Sequence, residues 1–141
     1  MDYGSATVEI TGTRGVATLR LMVPCTFRLM EWGLQGHVWL GPRDGMMFMS
    51  RAWPREESIP MWMAKVPFEL AMIWVGANGL VRDVELAAPG DPKTYDHRGV
   101  YVIEANAALA PEIGILPGDA VARLSWHAPC LSKEKRMGLK K

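Results

Sequence analysis

The sequence has few residues of the kinds that bind metals or form covalent links. Only two cysteines and three histidines occur among its 141 residues. Cys25 and Cys130 are too far apart in sequence for a Cys-x-x-Cys site, and no histidine has a second ligand at metal-binding spacing. We therefore predict no metal site and no cofactor. Two free, buried thiols in a reducing compartment are the expected state of the cysteines, with a bridge between them as the alternative.

Long apolar runs are also missing. The longest, Leu70–Val75, is far shorter than the roughly 20 residues that cross a bilayer as a helix. The first residues show no basic region followed by an apolar region, as a signal peptide would. These absences predict a cytoplasmic protein without a membrane partner.

The chain has no excess of one charge, since its formal net charge is +1 at pH 7. Residues 132–141 contain five basic residues and one acidic residue, so this tail carries +4 and the first 131 residues carry −3. Outside the tail, nothing in this balance favours nucleic acid as a partner. We expect one domain over residues 1–131 and a basic, flexible tail over 132–141.

Apolar residues are plentiful enough for a packed core, at 49% of the chain, while charged residues make up 22%. Alternation and turn signals predict strands. They lie at residues 7–11, 16–23, 46–50, 61–63, 69–75, 80–86, 100–105 and 120–126. Thr26 and Asn106 are predicted to cap two short helices, the second over 107–113.

Segments 51–60 and 88–99 are rich in proline, glycine and polar residues, and both are predicted to be loops. The second is long, which is typical of functional loops in compact domains. Together the elements predict a mainly β, single compact domain. We expect a partly closed barrel of about seven or eight short strands with two short helices, because closure removes exposed strand edges.

Six short motifs follow one another without a large gap. They are Trp-Gly-Leu at 32–34, Gly-Met-Met-Phe at 45–48, Met-Trp-Met at 61–63, Ile-Trp-Val at 73–75 with Asn-Gly-Leu-Val at 78–81, Tyr-Val-Ile-Glu-Ala-Asn at 101–106, and Ile-Leu-Pro-Gly-Asp at 115–119. In this order and spacing, over about residues 26–121, the chain resembles domain-of-unknown-function family 192. The resemblance implies a compact, mainly β single domain with no established activity.

The sequence departs from that family's pattern after the Met-Trp-Met motif. In the family the motif continues into Lys-Asn-Thr and then Pro-Leu-Asp, whereas here residues 64–66 read Ala-Lys-Val and residues 69–71 read Glu-Leu-Ala. If the family shares a polar chemistry at these positions, this chain has lost the asparagine, the threonine and the aspartate.

Catalytic motifs for nucleophilic hydrolysis, phosphate binding or dinucleotide binding are missing. The nearest acid/base arrangements are His97 beside Asp96, and Asp83 with Glu85 on one face of a strand. We interpret the two carboxylates as part of a solvated strand face, with a glycosidase-like pair as the alternative. We assign no catalytic residue from the sequence.

Candidate binding residues are aromatic or polar side chains in or near the predicted loops. They are Trp53, Trp62, Lys65, Tyr95, His97, Glu104 and Asn106. An exposed tryptophan would offer a platform for a sugar ring or a partner surface, whereas a buried one belongs to the core. Glu104 points to solvent if the opposite face of its strand packs inward, and otherwise it is buried with a displaced pKa.

These observations favour a non-catalytic binding or interaction module with an unknown ligand or protein partner. A structural or assembly protein of a larger particle, such as a viral accessory component or a homo-oligomer, is the alternative. A small hydrolase that uses carboxylates or His97 is the third hypothesis.

Overall fold

The structure is a computed structural model, and it describes residues 3–127. The predicted tail and Cys130 lie outside this range. The described elements, in chain order, are β1 Tyr3–Thr11, β2 Val16–Pro24, α1 Phe27–Trp32, β3 Asp44–Met49, β4 Glu57–Met61, β5 Leu70–Val75, β6 Val81–Ala87, β7 Tyr95–Gly99, β8 Tyr101–Asn106, α2 Leu109–Ile113 and β9 Ala120–His127. The predicted mainly β class with two short helices is confirmed.

Seven strands form one curled sheet in the order β6-β5-β8-β3-β2-β1-β9. All neighbouring strands are antiparallel except β2 and β3, which are parallel. The segment that contains α1 connects these two strands. The two outer strands approach each other at one end, where Val81 N donates to Asp119 O at 2.8 Å and Val121 N donates to Gly79 O at 2.9 Å. The sheet is therefore a curled half-barrel, as the prediction of a partly closed barrel requires.

The concave face of this sheet holds the larger core. Alternate residues of β1 and β2 point into it, so that Val8, Ile10, Leu19 and Val23 are fully buried. Helix α2 packs against the same core through Leu109 and Ile113. This alternation is the signal that made β1 and β2 predictable from sequence.

The convex face of the central strands is buried as well. Met46, Met72, Trp74 and Val102 point to this side and pack under the segment after α1 and a second, two-stranded sheet. Strands β3 and β5 consequently read as continuous apolar runs, which is typical of strands covered on both faces.

The two-stranded sheet pairs β4 with β7, from Glu57 opposite Gly99 to Met61 opposite Tyr95. The prediction of loops over 51–60 and 88–99 is therefore wrong for these strands. Both are short and polar, and β4 contains Pro60, which has no backbone N–H and fits in a strand only where the ladder needs no donor at that position. Neither strand carries an apolar pattern that would mark it in isolation.

Trp74 attaches this small sheet to the large one. Its indole is fully buried, and its Nε1 donates a hydrogen bond to the carbonyl of Ile59 in β4 at 2.9 Å. On the β7 side, the ring of His97 meets the indole edge-on, with centroids 4.7 Å apart. One side chain of β5 thus contacts both strands of the small sheet.

Cys25 is buried and disulfide-bonded. The expectation of a free thiol is wrong for this residue. The other cysteine of the sequence, Cys130, lies outside the described residues.

Neither helix within residues 3–127 has the length and apolar character needed to cross a lipid bilayer.

Candidate functional site: a cleft between α1 and β4

A cleft of about 420 Å³ lies between helix α1 and strand β4. Phe27 and Met30 of α1 line one wall, and Met61 of β4 lines another together with the next residue, Trp62. Phe48 of β3, a central strand of the large sheet, lines the cleft as well. We call this the α1–β4 cleft, and its lining includes three aromatic and three methionine side chains.

The local sequence of α1 explains why the cleft stays open. Thr26 caps the helix by accepting a hydrogen bond from Leu29 N at 3.1 Å, and the helix ends after six residues at Gly33, whose φ of 56° favours glycine. None of its residues is fully buried. Phe27 is 51% exposed, so the apolar side chains of α1 have surface left for a further contact.

An inner cavity of about 30 Å³ adjoins the cleft and shares Met30, Phe48, Met61 and Trp62 with it. The additional lining residues are Leu34, Ala64, Val66 and Glu104, together with further residues of α1 and the segment after it. A volume of this size holds one or two water-sized groups.

Glu104 is the buried ionisable group of this cavity. It lies on β8 opposite Met46 of β3 and Met72 of β5, and only 2% of its surface is exposed. Within residues 3–127 no group hydrogen-bonds to its carboxyl and no cation pairs with it. Burial raises its pKa to about 8, because the charged form loses its hydration. The carboxyl is therefore mostly protonated at neutral pH. Of the two orientations expected from the sequence, solvent-facing or buried, Glu104 has the buried one.

The charged residues near Glu104 are mainly acidic. Glu31 lines both cavities and Glu57 lines the cleft. Arg51 also lines the cleft, and its guanidinium lies 4.2 Å from the centroid of the Phe27 ring. Among the residues that line the two cavities, carboxyl groups thus outnumber basic groups.

The departures from the family pattern fall at this site. Ala64 and Val66, where the family pattern has lysine and threonine, line the inner cavity as apolar residues. Ala71, at the aspartate position, is fully buried and pairs with Ala105 of β8. Glu104 is consequently the polar side chain that remains at the depth of the inner cavity.

Lys65 lies between those two lining residues and has a φ of 60°. This left-handed conformation strains most side chains, but asparagine tolerates it well. We expect Lys65→Asn to raise the free energy of unfolding by about 0.5–1 kcal/mol, measured by urea denaturation. Lys65→Ala is the matched control, because it removes the same charge without relieving the backbone. Equal stability of the two variants would contradict the prediction.

His97 lies outside the cleft and joins β7 to β6. Its Nε2 is 2.8 Å from Glu85 Oε2 and its Nδ1 is 3.3 Å from Asp83 Oδ2. The two carboxylates therefore share an imidazole, and both side chains are also partly exposed to solvent. Asp96 does not approach His97 and accepts a hydrogen bond from Ser58. In the described part of the chain, no three His, Cys, Asp or Glu residues cluster as a metal site would require.

Tyr95 and Asn106 are occupied by contacts within the fold. The Tyr95 hydroxyl donates to Asp91 Oδ2 at 2.7 Å, and the ring is buried. Asn106 Nδ2 donates to Leu40 O at 3.0 Å, and its Oδ1 accepts from Ala108 N at 3.0 Å, just before α2. Both side chains have roles in holding loops in place.

Trp53 lies at the concave side of the large sheet. It stacks on Trp126 with centroids 5.7 Å apart and 11° between the ring planes, and it packs against Tyr101 in the larger core. The guanidinium of Arg123 lies 5.4 Å and 5.0 Å from the two tryptophan rings. This aromatic group is separate from the α1–β4 cleft.

The structure thus brings two of the seven candidate residues, Trp62 and Glu104, to one cavity, with Lys65 in the segment beside them. Phe27, Met30 and Phe48 complete the site and were not among the candidates. Phe27 and Met30 could have been found from one signal in the sequence. They follow a helix cap, and the helix that carries them is too short to bury its apolar side chains.

Comparison with known proteins places the chain in a family. Residues 7–123 match the model of DUF192, which is described as an uncharacterized ACR. The chain belongs to the DUF192 family. No match to a curated protein was found.

Two solved structures share the DUF192 chain's fold. A protein of Sinorhizobium meliloti 1021, provisionally named a transcription regulator, is 24% identical, with a TM-score of 0.77 over 87% of this chain and 96% of its own. A protein of unknown function from Novosphingobium aromaticivorans DSM 12444 is 29% identical, with a TM-score of 0.75 over 83% of this chain and 84% of its own. The first likeness concerns the fold alone.

Proposed function

We propose that this DUF192 chain is a non-catalytic binding module that takes a small, largely apolar ligand in the α1–β4 cleft. The observation that carries the proposal is an aromatic cleft that adjoins a cavity lined by Glu104, a residue that is 2% exposed and whose carboxyl has no hydrogen-bond partner among residues 3–127. Ligand sites are typically concave and mostly apolar, have volumes of about 300–1,000 Å³, and contain a few polar groups that fix orientation. The cleft has each of these properties.

The free energy for binding comes from the surface that α1 and β4 leave uncovered. Trp62 is 41% exposed and Phe27 is 51% exposed, and both line the cleft. Each 100 Å² of apolar surface that a ligand covers contributes about 2.5 kcal/mol. A ligand that lies between these two rings therefore gains affinity without a rearrangement of the core.

The neutral fluorescent probe N-phenyl-1-naphthylamine tests this proposal. We expect saturable, one-to-one binding with enhanced emission, and at least about a tenfold loss of affinity in Trp62→Ala, which corresponds to about 1.4 kcal/mol. Fluorescence titration measures the affinity, and circular dichroism verifies that the variant is folded.

Trp39→Ala is the matched control, because Trp39 is 71% exposed and lines no part of the cleft. It should bind the probe like the unmodified protein. Trp53→Ala should lower stability and leave probe affinity unchanged, since Trp53 packs against the larger core. Equal effects of Trp62→Ala and Trp39→Ala, or no saturable binding, would contradict the proposal.

The assembly alternative is favoured by a different observation. Val38 is 86% exposed, and together with Trp39 and Leu86 it lines a separate depression of about 420 Å³ beside α2. Exposed apolar patches of this kind often mark interfaces. Light scattering across concentration tests the alternative. A concentration-dependent mass that Trp39→Ala abolishes would support assembly, and a constant monomeric mass would exclude self-association by this patch.

A further inference from the structure

We infer that the ligand of the α1–β4 cleft carries a primary ammonium group, which enters the inner cavity and pairs with Glu104. The inference rests on the proposed function and names the chemical class of its ligand. It places the apolar body of the ligand between Phe27 and Trp62 and its charged end at the carboxyl group.

The two volumes match the two parts of such a molecule. The cleft of about 420 Å³ accommodates an aromatic or aliphatic body. The inner cavity of about 30 Å³ accommodates a group of the size of one or two waters. An ammonium group meets that limit, whereas a phosphate-bearing end is too large.

The lining also selects a cation. Glu104 is 2% exposed, and its carboxyl has no partner within residues 3–127, so an ammonium donor would satisfy a group that the fold leaves unpaired. Glu31, which is exposed, lines both the cleft and the inner cavity. The faces of aromatic rings attract cations in a desolvated site, and Phe27, Phe48 and Trp62 all line the cleft.

Binding is then coupled to proton release. In the free protein, burial keeps the Glu104 carboxyl protonated below a pKa of about 8. When an ammonium ion pairs with it, the carboxyl ionises and its proton passes to solvent, so that an ion pair replaces a neutral acid. Affinity for the ammonium ligand should rise about tenfold per pH unit between pH 6 and pH 7.5.

Phenethylamine and 2-phenylethanol are the matched probes, because they differ mainly in the charge of the terminal group. Calorimetric titration in two buffers with different heats of protonation measures the protons released. With the unmodified protein at pH 7, we expect phenethylamine to bind at least tenfold more tightly than 2-phenylethanol. We also expect it to release about one proton per ligand.

Glu104→Gln should bring the two affinities together and abolish proton release. Glu31→Gln, at the rim, should keep the proton release. Because the release is measured on the unmodified protein, the test stands even if Glu104→Gln does not fold.

The outcomes separate the two proposals. If the neutral probes bind and phenethylamine binds no better, or binds without releasing a proton, the ammonium inference falls and the binding module stands. If neither probe nor N-phenyl-1-naphthylamine binds, the proposed function itself falls.

Discussion

Glu104→Gln is expected to make the protein more stable than the unmodified chain above neutral pH, by about 4 kcal/mol at pH 8 and about 5 kcal/mol at pH 9 and above. The buried carboxyl has its pKa raised from 4.5 to about 8 by desolvation. The unfolded chain releases this proton above pH 4.5, whereas the folded protein keeps it. Stability that is fully present below pH 4.5 is therefore lost, at about 1.4 kcal/mol per pH unit, as the pH rises towards 8.

Urea denaturation from pH 4.5 to pH 8.5 measures this effect. The difference in unfolding free energy between the two proteins isolates Glu104, because every other titrating group is common to both. Glutamine stays neutral, so the difference should be small at pH 4.5 and should grow steadily up to pH 8. Glu31→Gln is the control at the exposed rim and should show no such trend. Parallel profiles for Glu104→Gln and the unmodified protein would mean that the carboxyl is not desolvated.

Trp74→Ala is expected to destabilise the protein by about 3–5 kcal/mol, because a large, fully buried side chain leaves a cavity. The small sheet should be affected most. The substitution removes the hydrogen bond to Ile59 O and the edge contact with His97. Amide hydrogen exchange should therefore become faster in β4 and β7 than in β3 and β8.

Two further variants sharpen this test. Trp74→Phe keeps a ring but removes the Nε1 donor, and it should cost about 1–3 kcal/mol because the carbonyl of Ile59 loses its partner. Trp39→Ala, at an exposed position, should change stability by no more than about 0.5 kcal/mol. Uniform loss of protection across both sheets in Trp74→Ala would show that Trp74 does not specifically hold the small sheet.

Much of the fold follows from local patterns in the sequence. The alternation in β1 and β2, the Asn78-Gly79 turn before β6 and the Thr26 cap are strong signals, and the structure contains each corresponding element. The predicted cap at Asn106 is wrong, because α2 begins after Ala108, which makes no side-chain capping bond, and Asn106 accepts from Ala108 N instead. Strands β4 and β7 gave no such signal. They exist because they pair with each other and dock on Trp74, and this tertiary context overrides weak local preference.

The site was harder to predict than the fold for a related reason. The alternation in β8 places Glu104 on the other face of the strand from Tyr101 and Ile103. A strand face that carries a charged residue is ordinarily exposed to solvent. Here the convex face of the central strands is covered by α1, the segment after it and the small sheet. The cavity that encloses Glu104 includes Pro60 and Met61 of β4, so its burial depends in part on a strand that the sequence did not indicate.

A backbone nuclear magnetic resonance titration with N-phenyl-1-naphthylamine tests the central claim most directly, because it locates the binding site as well as detecting it. The account predicts saturable shift changes in α1, in β4 and residues 61–66, and at Glu104, with little change around Trp39 or Trp53. Shift changes centred on either of those two residues, or spread evenly over the protein, would contradict the assignment of the α1–β4 cleft as the binding site.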